Sequence, residues 1–247
     1  MNLLILNEND QLSDNQFIIT DHRADHILNI LKLSVGSQLN LGLIDKFTGI
    51  GIIEKIDNKK ITITIKESHE KIKALQSINI ICALPRPQTI KKILFIAGMT
   101  AIRNIFFIRA NRVEKSFFQS PLLDKKEYMK YLIEGMSQGK QIFLPNVSFH
   151  TKFKPFFEDY LPDNFDKNNN NYRLLPDMEA SSTINSVYKK SDSNILLAIG
   201  PEGGWVPFEI EMMKSLGFKK FKLSDYTLRV EHALMASISQ LELINTQ

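Results

Sequence analysis

The sequence predicts an α/β protein in which a mostly parallel C-terminal sheet follows a smaller, β-rich N-terminal domain. Three observations support this fold class: short strand-like runs before residue 70, alternating strands and helices after it, and a glycine-rich turn behind an apolar strand at 195–199. The charged stretch 66–73 is interpreted as a linker. We therefore expect two domains, residues 1–70 and 74–247.

Short β-like runs dominate the N-terminal domain. Residues 61–65 alternate strictly between Ile and Thr, which is the pattern of a half-buried strand. A helix is predicted over 24–33, because Ile27, Ile30 and Leu31 fall on one side of it. Many short strands joined by tight turns favour a small barrel. The strands are predicted at 3–6, 17–20, 38–43, 50–56 and 61–65.

Strands and helices alternate in the C-terminal domain. A helix near 89–99 follows the first strand, and a later helix has Pro207 at its start and Gly217 at its far end. The final helix carries Leu234, Ile238 and Leu241 on one face. The Asn-rich run 168–171 is expected to form a solvated loop. The strands are predicted at 78–84, 105–109, 172–175, 195–199 and 221–223.

Composition argues against several classes of protein. A net charge of +4 means that any nucleic-acid surface has to be a local basic patch. Cys82 is the single cysteine, so we expect no intramolecular disulfide, no cysteine-based metal site and a reducing cytoplasm. His22 and His26 have helical spacing but no third ligand nearby, so no metal is expected. Short apolar runs and a start without a basic region predict neither a membrane span nor a secretory signal.

The most informative segment is Gly200-Pro201-Glu202-Gly203-Gly204, which follows the buried strand and precedes a helix. Glycines after such a strand let backbone amides approach a ligand closely. Open α/β sheets bind their ligands at the carboxyl ends of the strands. The spacing matches neither a phosphate-binding P-loop nor a dinucleotide fingerprint. A simple strand-to-helix turn without a ligand is the alternative.

A second motif, Leu-Arg-Val-Glu-His-Ala at 228–233, lies where a loop leads into the final helix. Arg229 and Glu231 therefore lie at a helix start, where charged side chains can serve either chemistry or structure. A structural ion pair between these two residues is the alternative to a catalytic role.

The two motifs, in this order, resemble the paired signature of the RsmE-type methyltransferases of the SPOUT superfamily, which methylate N3 of a uridine in small-subunit (16S) ribosomal RNA. Segments 26–32 and 134–145 extend the resemblance, more weakly, over nearly the whole chain. The resemblance implies a PUA-like RNA-binding β-barrel at 1–70, a SPOUT methyltransferase domain with a C-terminal trefoil knot at 74–247, and a homodimer. The chain departs from the family's usual residues at Asn29, Lys32, Ser137, Gln141, Val206, Val230 and His232.

The resemblance also implies S-adenosylmethionine as the cofactor and, position by position, the residues that bind it. They are Leu175, Gly200, Glu202, Gly203, Gly204, Leu223, Ser224 and Leu228. Because loss of the N3 proton leaves negative charge on uracil, we hypothesise that Arg229 stabilises this anion. Glu202 or Glu231 then serves as the orienting group or proton acceptor. Phosphates of ribosomal RNA are expected to contact Lys32, Arg86, Lys91, Lys92 and Arg112.

Two alternatives stay open. One is a non-catalytic RNA-binding or ribosome-assembly protein of the same fold, because arginines usual in the family are replaced. The other is a methyltransferase acting on another RNA, such as tRNA, because a fold does not determine its substrate. Glu202 followed by two glycines favours a working enzyme.

Overall fold

Two six-stranded sheets, one in each of two units, organise the computed structural model, which describes residues 2–71, 77–100, 102–165 and 171–246. The first unit comprises Met1–Lys73, Gly98–Thr100 and Ile133–Leu144. The second unit comprises Ala74–Ala97, Ala101–Leu132 and Pro145–Gln247. A β-rich N-terminal sheet followed by a parallel sheet with helices confirms the predicted α/β fold class.

The first sheet contains β1 (Leu4–Leu6), β2 (Gln11–Ser13), β3 (Gln16–Ile19), β4 (Gln38–Leu43), β5 (Phe47–Asp57) and β6 (Lys60–Glu70). The strand order is β1-β4-β5-β6-β3-β2, and β1 pairs with β4 in parallel while the other described pairs are antiparallel. Ile61 and Ile63 are fully buried, whereas Thr62 and Thr64 are only partly buried. This confirms the alternation predicted for residues 61–65, and the isoleucines belong to the core of this unit.

The helix predicted over 24–33 begins two residues earlier, ends at Ile30 and is less regular than expected. The carboxylate of Asp21 accepts the backbone N–H of Arg23 and caps α1 (His22–Asp25). The chain continues as one π-helical turn over His26–Ile30. Lys32 then has a φ of +53°, a left-handed conformation that cannot continue the helix. Apolar spacing therefore predicted the helix, but nothing in the sequence marked the residue that ends it.

The linker predicted at 66–73 is wrong for its first five residues. Residues 66–70 belong to β6, where Glu70 lies opposite Phe47 of β5. The charged side chains of this stretch are compatible with a strand because they are exposed. Residues 72 and 73 lie outside the described residues, as do residues 168–170 of the Asn-rich run predicted as a loop.

The second sheet contains β7 (Ile78–Ala83), β8 (Ile102–Ile108), β9 (Asn146–His150), β10 (Asn171–Pro176), β11 (Asn194–Ile199) and β12 (Lys219–Phe221). Its described strands are all parallel, in the order β12-β10-β11-β7-β8-β9. The strand predicted at 221–223 instead runs from Lys219 to Phe221, two residues earlier, where it pairs with β10 as far as Pro176. β9 is missing from the prediction, because this edge strand (Asn-Val-Ser-Phe-His) has no apolar run.

The helices that lie between or after the strands of the second sheet in the chain are α2 (Pro87–Met99), α3 (Lys125–Gly139), α4 (Phe153–Pro155), α5 (Leu161–Phe165), α6 (Ile184–Val187), α7 (Pro207–Ser215) and α8 (Val230–Thr246). A π-helical turn, Phe156–Tyr160, joins α4 to α5. In α8, Leu234, Ile238 and Leu241 are buried, as their spacing predicted. None of the helices in the described part of the chain has the length and apolar character needed to cross a membrane.

The carboxyl ends of five neighbouring strands lie at one side of the second sheet, referred to below as the carboxyl edge. Ile199 of β11 lies opposite Cys82 of β7, and Phe221 of β12 lies opposite Pro176 of β10. β8 ends in register with β7. The cofactor-binding residues predicted from the sequence lie at the ends of these strands or in the loops that follow them.

Candidate active site

The glycine-rich loop at 200–204 begins where β11 leaves the sheet. Residues 195–199 are buried, as predicted for a strand covered on both faces. Gly204 has a φ of +73°, a conformation that suits glycine, and donates its N–H to Pro201 O at 2.8 Å. The loop is therefore a tight turn, and Glu202 and Gly203 at its tip are exposed to solvent.

Trp205 packs against the inner side of this loop. The residue is 9% exposed, and a Cβ added to Gly200 would lie 3.0 Å from the indole Nε1. Nε1 is buried and has no hydrogen-bond partner among the described residues. Because buried polar groups are normally hydrogen-bonded, this unpartnered donor beside a glycine is a candidate partner for the acceptor atom of a ligand.

Glu209 ties the start of α7 to the loop after β8. Its Oε2 accepts the backbone N–H of Val206 at 3.0 Å, and its Oε1 accepts that of Asn111 at 2.6 Å. Val206 is the N-cap residue and has no side-chain oxygen, so Glu209 satisfies the helix start from the third helical position. Sequence reasoning identified Glu209 only as an acidic residue near a helix start and missed its contacts with Val206 and Asn111.

We expect Glu209→Gln to lower the free energy of unfolding by about 1–2 kcal/mol. Glu209 is 2% exposed, and Gln has a single acceptor oxygen, so one of the two backbone donors would lose its partner. Urea titration measures the loss. Glu211→Gln is the matched control on the same helix, because Glu211 is exposed and pairs with Lys214, and it should cost less than about 0.5 kcal/mol. Equal losses in the two variants would contradict this role of Glu209.

Two arginines predicted to bind RNA lie against the glycine loop. Arg112, in the loop after β8, donates from Nη1 to the carbonyl oxygen of Gly203. Arg86, after β7, donates its backbone N–H to Glu202 Oε1 at 3.4 Å. Both arginines are exposed. The structure therefore brings two predicted RNA-binding residues to two predicted cofactor-binding residues.

Helix α2 connects the glycine loop with the second motif. Arg86, which contacts Glu202, immediately precedes α2. Lys92, about two turns further along, donates from Nζ to Glu231 Oε1 at 2.8 Å. Glu202 therefore contacts the residue just before α2, and Glu231 contacts the N-terminal half of the same helix, so the two motifs converge although they are separated in sequence.

The ion pair considered between Arg229 and Glu231 is not formed, because Glu231 pairs with Lys92 instead. Glu231 is 5% exposed. Arg229 is exposed and makes no ion pair with any residue in the described part of the chain. Arg229 and Glu231 are only two residues apart, but the Glu231 side chain is buried and paired whereas the Arg229 side chain is open to solvent.

The pKa of Glu231 is held below its ordinary value. Burial alone would raise this pKa, because it disfavours the charged carboxylate. The hydrogen bond from Lys92, a bond from the residue's own backbone amide and the nearby positive charge outweigh burial. Glu231 is therefore ionised at neutral pH and poorly suited to accept a proton.

We expect Glu231→Gln to lower stability by about 1 kcal/mol at neutral pH and by less in acid. The pKa of Glu231 lies below its ordinary value in the folded protein, so the carboxylate stabilises the fold above that value. This stabilisation is lost as the pH falls through the lowered pKa, whereas Gln does not titrate. Urea unfolding of both proteins at neutral and acidic pH measures the difference. A difference that grows in acid would contradict the ion pair with Lys92.

Three leucines predicted to bind the cofactor differ in exposure. Leu175 is fully buried at the end of β10, Leu223 is half-buried, and Leu228 is 36% exposed. Ser224 Oγ accepts the backbone N–H of Tyr226 at 3.0 Å, which shapes the loop after β12. The apolar surface of these loops therefore reaches solvent at Leu228.

Two of the predicted RNA-binding lysines, Lys91 and Lys32, are not among the described residues that contact the glycine loop. Lys91 Nζ lies 5.5 Å from the centroid of the Tyr131 ring on α3. Lys32 is exposed and belongs to the first unit. Among the residues that the structure describes, no group of three His, Cys, Asp or Glu side chains is placed to hold a metal ion.

Cys82 is a free, buried thiol at the end of β7. Burial raises the pKa of this thiol, and the negative charge of nearby Glu202 raises it further. The thiol stays protonated at neutral pH and behaves as a small apolar residue, as its position in an apolar run predicted.

A parallel sheet that gathers a glycine loop, a buried unpartnered donor and exposed arginines at its carboxyl edge is typical of an α/β domain that binds its ligand at that edge. A family model described as an RNA methyltransferase domain matches residues 71–242. The chain therefore belongs to this RNA methyltransferase family. Residues 19–66 match a model described as an RNA methyltransferase PUA domain, and both matches confirm the resemblance seen in the sequence.

Similar proteins match along nearly the whole chain. The ribosomal RNA small subunit methyltransferase E 1 of Borreliella burgdorferi is 26% identical over 247 residues, covering 99% of this chain and all 100% of that protein. A protein named ribosomal RNA small subunit methyltransferase E, from Treponema pallidum, is 26% identical over 218 residues, or 88% of this chain and 81% of that protein.

A solved structure shares the fold. The ribosomal RNA small subunit methyltransferase E from Neisseria gonorrhoeae, bound to S-adenosyl methionine, superposes with a TM-score of 0.79 at 16% identity. The match covers 98% of this chain and 97% of that chain. This chain therefore shares its fold with a known methyltransferase structure.

Proposed function

We propose that this protein transfers a methyl group from S-adenosylmethionine to N3 of a specific uridine in small-subunit (16S) ribosomal RNA. The observation that carries the proposal is the convergence of both motifs on the start and N-terminal half of α2, with Glu202 at Arg86 and Glu231 at Lys92. Relatives named as small-subunit methyltransferases support the substrate. Residues 1–70 are proposed as a PUA-like RNA-binding domain, and residues 74–247 as a SPOUT methyltransferase domain with a C-terminal knot.

The glycine loop fits S-adenosylmethionine. Trp205 Nε1 is an unpartnered buried donor among the described residues, and Gly200 has no side chain that would crowd the indole. Leu223 and Leu228 offer apolar surface for the adenine ring. When bound, the cofactor supplies a methyl group activated on a sulfonium sulfur. The residues proposed to hold it are Leu175, Gly200, Glu202, Gly203, Gly204, Leu223, Ser224 and Leu228.

Arg229 is proposed to stabilise the charge that develops on the uracil ring. Uridine N3 carries a proton and lies on the Watson–Crick edge, so the target base must be unpaired. Loss of the proton leaves negative charge shared by N3, O2 and O4, and a guanidinium offers fixed donors to such oxygens. Arg229 is exposed and without an ion-pair partner in the described part of the chain, so its donors are free for a substrate.

The two carboxylates are proposed to have different tasks. Glu202 is exposed at the tip of the glycine loop, where it can accept the N3 proton. Glu231 is buried and held ionised by Lys92, so it positions the start of α8 and with it Arg229. Arg229 is thereby placed between the start of α8 and the open site.

The basic residues at the carboxyl edge are proposed to contact RNA phosphates. Arg86 and Arg112 are exposed beside the glycine loop. Lys92 neutralises Glu231 but remains half exposed, and Lys91 lies on α2 next to it. Lys32 offers a further contact from the PUA-like domain.

We also infer that the protein forms a homodimer and acts in the cytoplasm, where ribosomal subunits are its substrate. Met178, Tyr226 and Leu228 are 51%, 79% and 36% exposed in the loops after β10 and β12. Large apolar side chains exposed together in neighbouring loops are typical of a protein–protein interface. We propose that a second copy of this chain covers them. Sedimentation of the purified protein tests the dimer, and a monomer at micromolar concentration would contradict it.

Two measurements test the proposed function. Calorimetry measures uptake of S-adenosylmethionine, and a labelled methyl group then reports transfer to unmodified small ribosomal subunits. Cofactor uptake with label in subunit RNA supports the proposal. Binding of RNA without cofactor uptake would indicate a non-catalytic RNA-binding protein, and label in tRNA alone would indicate another substrate. Either result would contradict the proposal.

A further inference from the structure

A cavity of about 520 Å³ opens at the carboxyl edge, bounded by the loops after β8 and β9 and by the start of α7. Its walls include Arg109 and Asn111 after β8, Phe153 and Lys154 after β9, and Phe208 in the first turn of α7. This volume falls within the roughly 300–1,000 Å³ that is usual for small-ligand sites. The cavity is separate from the residues assigned above to the cofactor and to catalysis.

The cavity presents an exposed aromatic ring beside a cation. Phe208 is 53% exposed, and Lys154 Nζ lies 5.0 Å from the centroid of its ring. Phe153, in the facing wall, lies with its ring centroid 6.1 Å from that of Trp205. Since Trp205 packs against Gly200, aromatic rings connect the cavity with the inner side of the glycine loop.

The charges of the cavity favour an anionic occupant. Arg109 and Lys154 line it, and Lys152, two residues before Lys154, is exposed in the same loop after β9. Glu209 is the carboxylate in the wall, but both of its oxygens already accept backbone N–H groups and the residue is buried. Two cations against this one carboxylate leave the lining with a net positive charge, which suits phosphate.

We propose that this cavity binds an unstacked nucleotide next to the target uridine, with its base against Phe208 and its phosphate at Arg109 and Lys154. The inference rests on the proposed function, because it takes single-stranded ribosomal RNA as the substrate. Exposed aromatic rings flanked by cations are the usual means of holding bases of single strands. A target base that leaves its stack also exposes its neighbours, so a second base site next to the glycine loop would hold the strand in place.

Substitution of Phe208 tests the stacking. Phe208→Leu keeps an apolar side chain but removes the aromatic face, and we expect affinity for a short fluorescein-labelled oligouridylate to fall by about 5- to 100-fold. Phe208→Tyr keeps the face and should retain affinity. Because Phe208 is exposed, the Leu variant should fold, which unchanged urea unfolding and cofactor binding verify.

Substitution of Lys154 tests the phosphate contact. Lys154→Ala should lower affinity for oligouridylate and reduce the slope of log affinity against log salt concentration by about one. Lys126→Ala is the matched control, because Lys126 is exposed at the start of α3 and is not part of the cavity wall. An unchanged salt slope in Lys154→Ala would contradict the proposed contact between Lys154 and an RNA phosphate.

The outcomes separate this inference from the proposed function. If Phe208→Leu binds RNA like the wild type while the wild type methylates small subunits, the cavity inference is overturned and the function stands. If the wild type methylates no small-subunit RNA, the proposed function is contradicted. The cavity inference is still tested, because it predicts that Phe208→Tyr binds oligouridylate more tightly than Phe208→Leu. A change in oligomeric state without a change in RNA affinity would assign the cavity to a second copy of this chain and would also overturn it.

Discussion

Replacing Arg229 by Ala is expected to lower the rate of methyl transfer by about 10²- to 10³-fold while the protein still folds. The side chain is exposed and without an ion pair among the described residues, so its removal should change stability by less than about 0.5 kcal/mol. The loss should shrink at alkaline pH, because uridine then gives up its N3 proton without help. Single-turnover transfer of labelled methyl groups over a range of pH measures both effects.

Controls for Arg229 distinguish its charge from its position. Arg229→Lys keeps the charge and should recover part of the rate, although its single ammonium cannot reproduce the fork of guanidinium donors. Lys222→Ala removes a nearby cation that pairs with Asp225, and it should leave the rate unchanged. An Arg229→Ala protein that is stable and fully active would contradict the proposed role.

Gly200→Val is expected to weaken binding of S-adenosylmethionine by about 100-fold, and Gly200→Ala by about 10-fold. A Cβ at this position would lie 3.0 Å from Trp205 Nε1 and 3.2 Å from its Cδ1, so the indole has to shift and the space beside it is filled. Calorimetric titration with the cofactor measures the loss. Retained affinity in Gly200→Val would show that the cofactor binds elsewhere.

Gly217→Ala is the matched control for this experiment. Gly217 ends α7 with a φ of +87°, and nothing lies within 4 Å of a Cβ built there. Ala in that conformation is strained, so the variant should lose roughly 1 kcal/mol of stability and keep its affinity for the cofactor. Loss of affinity in both glycine variants would show that destabilisation alone weakens binding.

Local features of the chain were predicted from the sequence because their signals are local. The apolar run of β11 and the turn residues behind it are neighbours in sequence, and Gly217 ends α7 at the predicted residue. Edge strand β9 was missed because it is only partly buried and needs no apolar run. The length of α1 was overestimated because the positive φ of Lys32 follows from no residue preference.

The contacts that build the candidate site could not be predicted, because they join distant parts of the chain. Glu209 and Asn111 are 98 residues apart, and Lys92 and Glu231 are 139 residues apart. The motifs indicated that Glu231 matters, but pairing with Lys92 instead of Arg229 depends on where α2 lies against α8. A single sequence contains no signal for that packing.

The hydrogen bonds of buried polar side chains could not be predicted from the sequence either. The strand at 78–84 was predicted from its apolar residues, yet its Asn79 is 1% exposed. The Asn79 side chain donates to Ser77 and to the carbonyl oxygen of Ile195 and accepts from Asn104 Nδ2 at 2.6 Å. Such a residue is tolerated in a core only when neighbouring strands supply partners, and strand order is a property of the fold.

Nucleoside mass spectrometry tests the central claim most directly. Small ribosomal subunits that lack the modification are incubated with the protein and S-adenosylmethionine carrying an isotope-labelled methyl group, and their RNA is digested to nucleosides. Labelled 3-methyluridine in the wild-type reaction and its near absence with Arg229→Ala is the predicted result. A label on any other nucleoside, or no label while a known methyltransferase labels the same subunits, would contradict the proposed reaction.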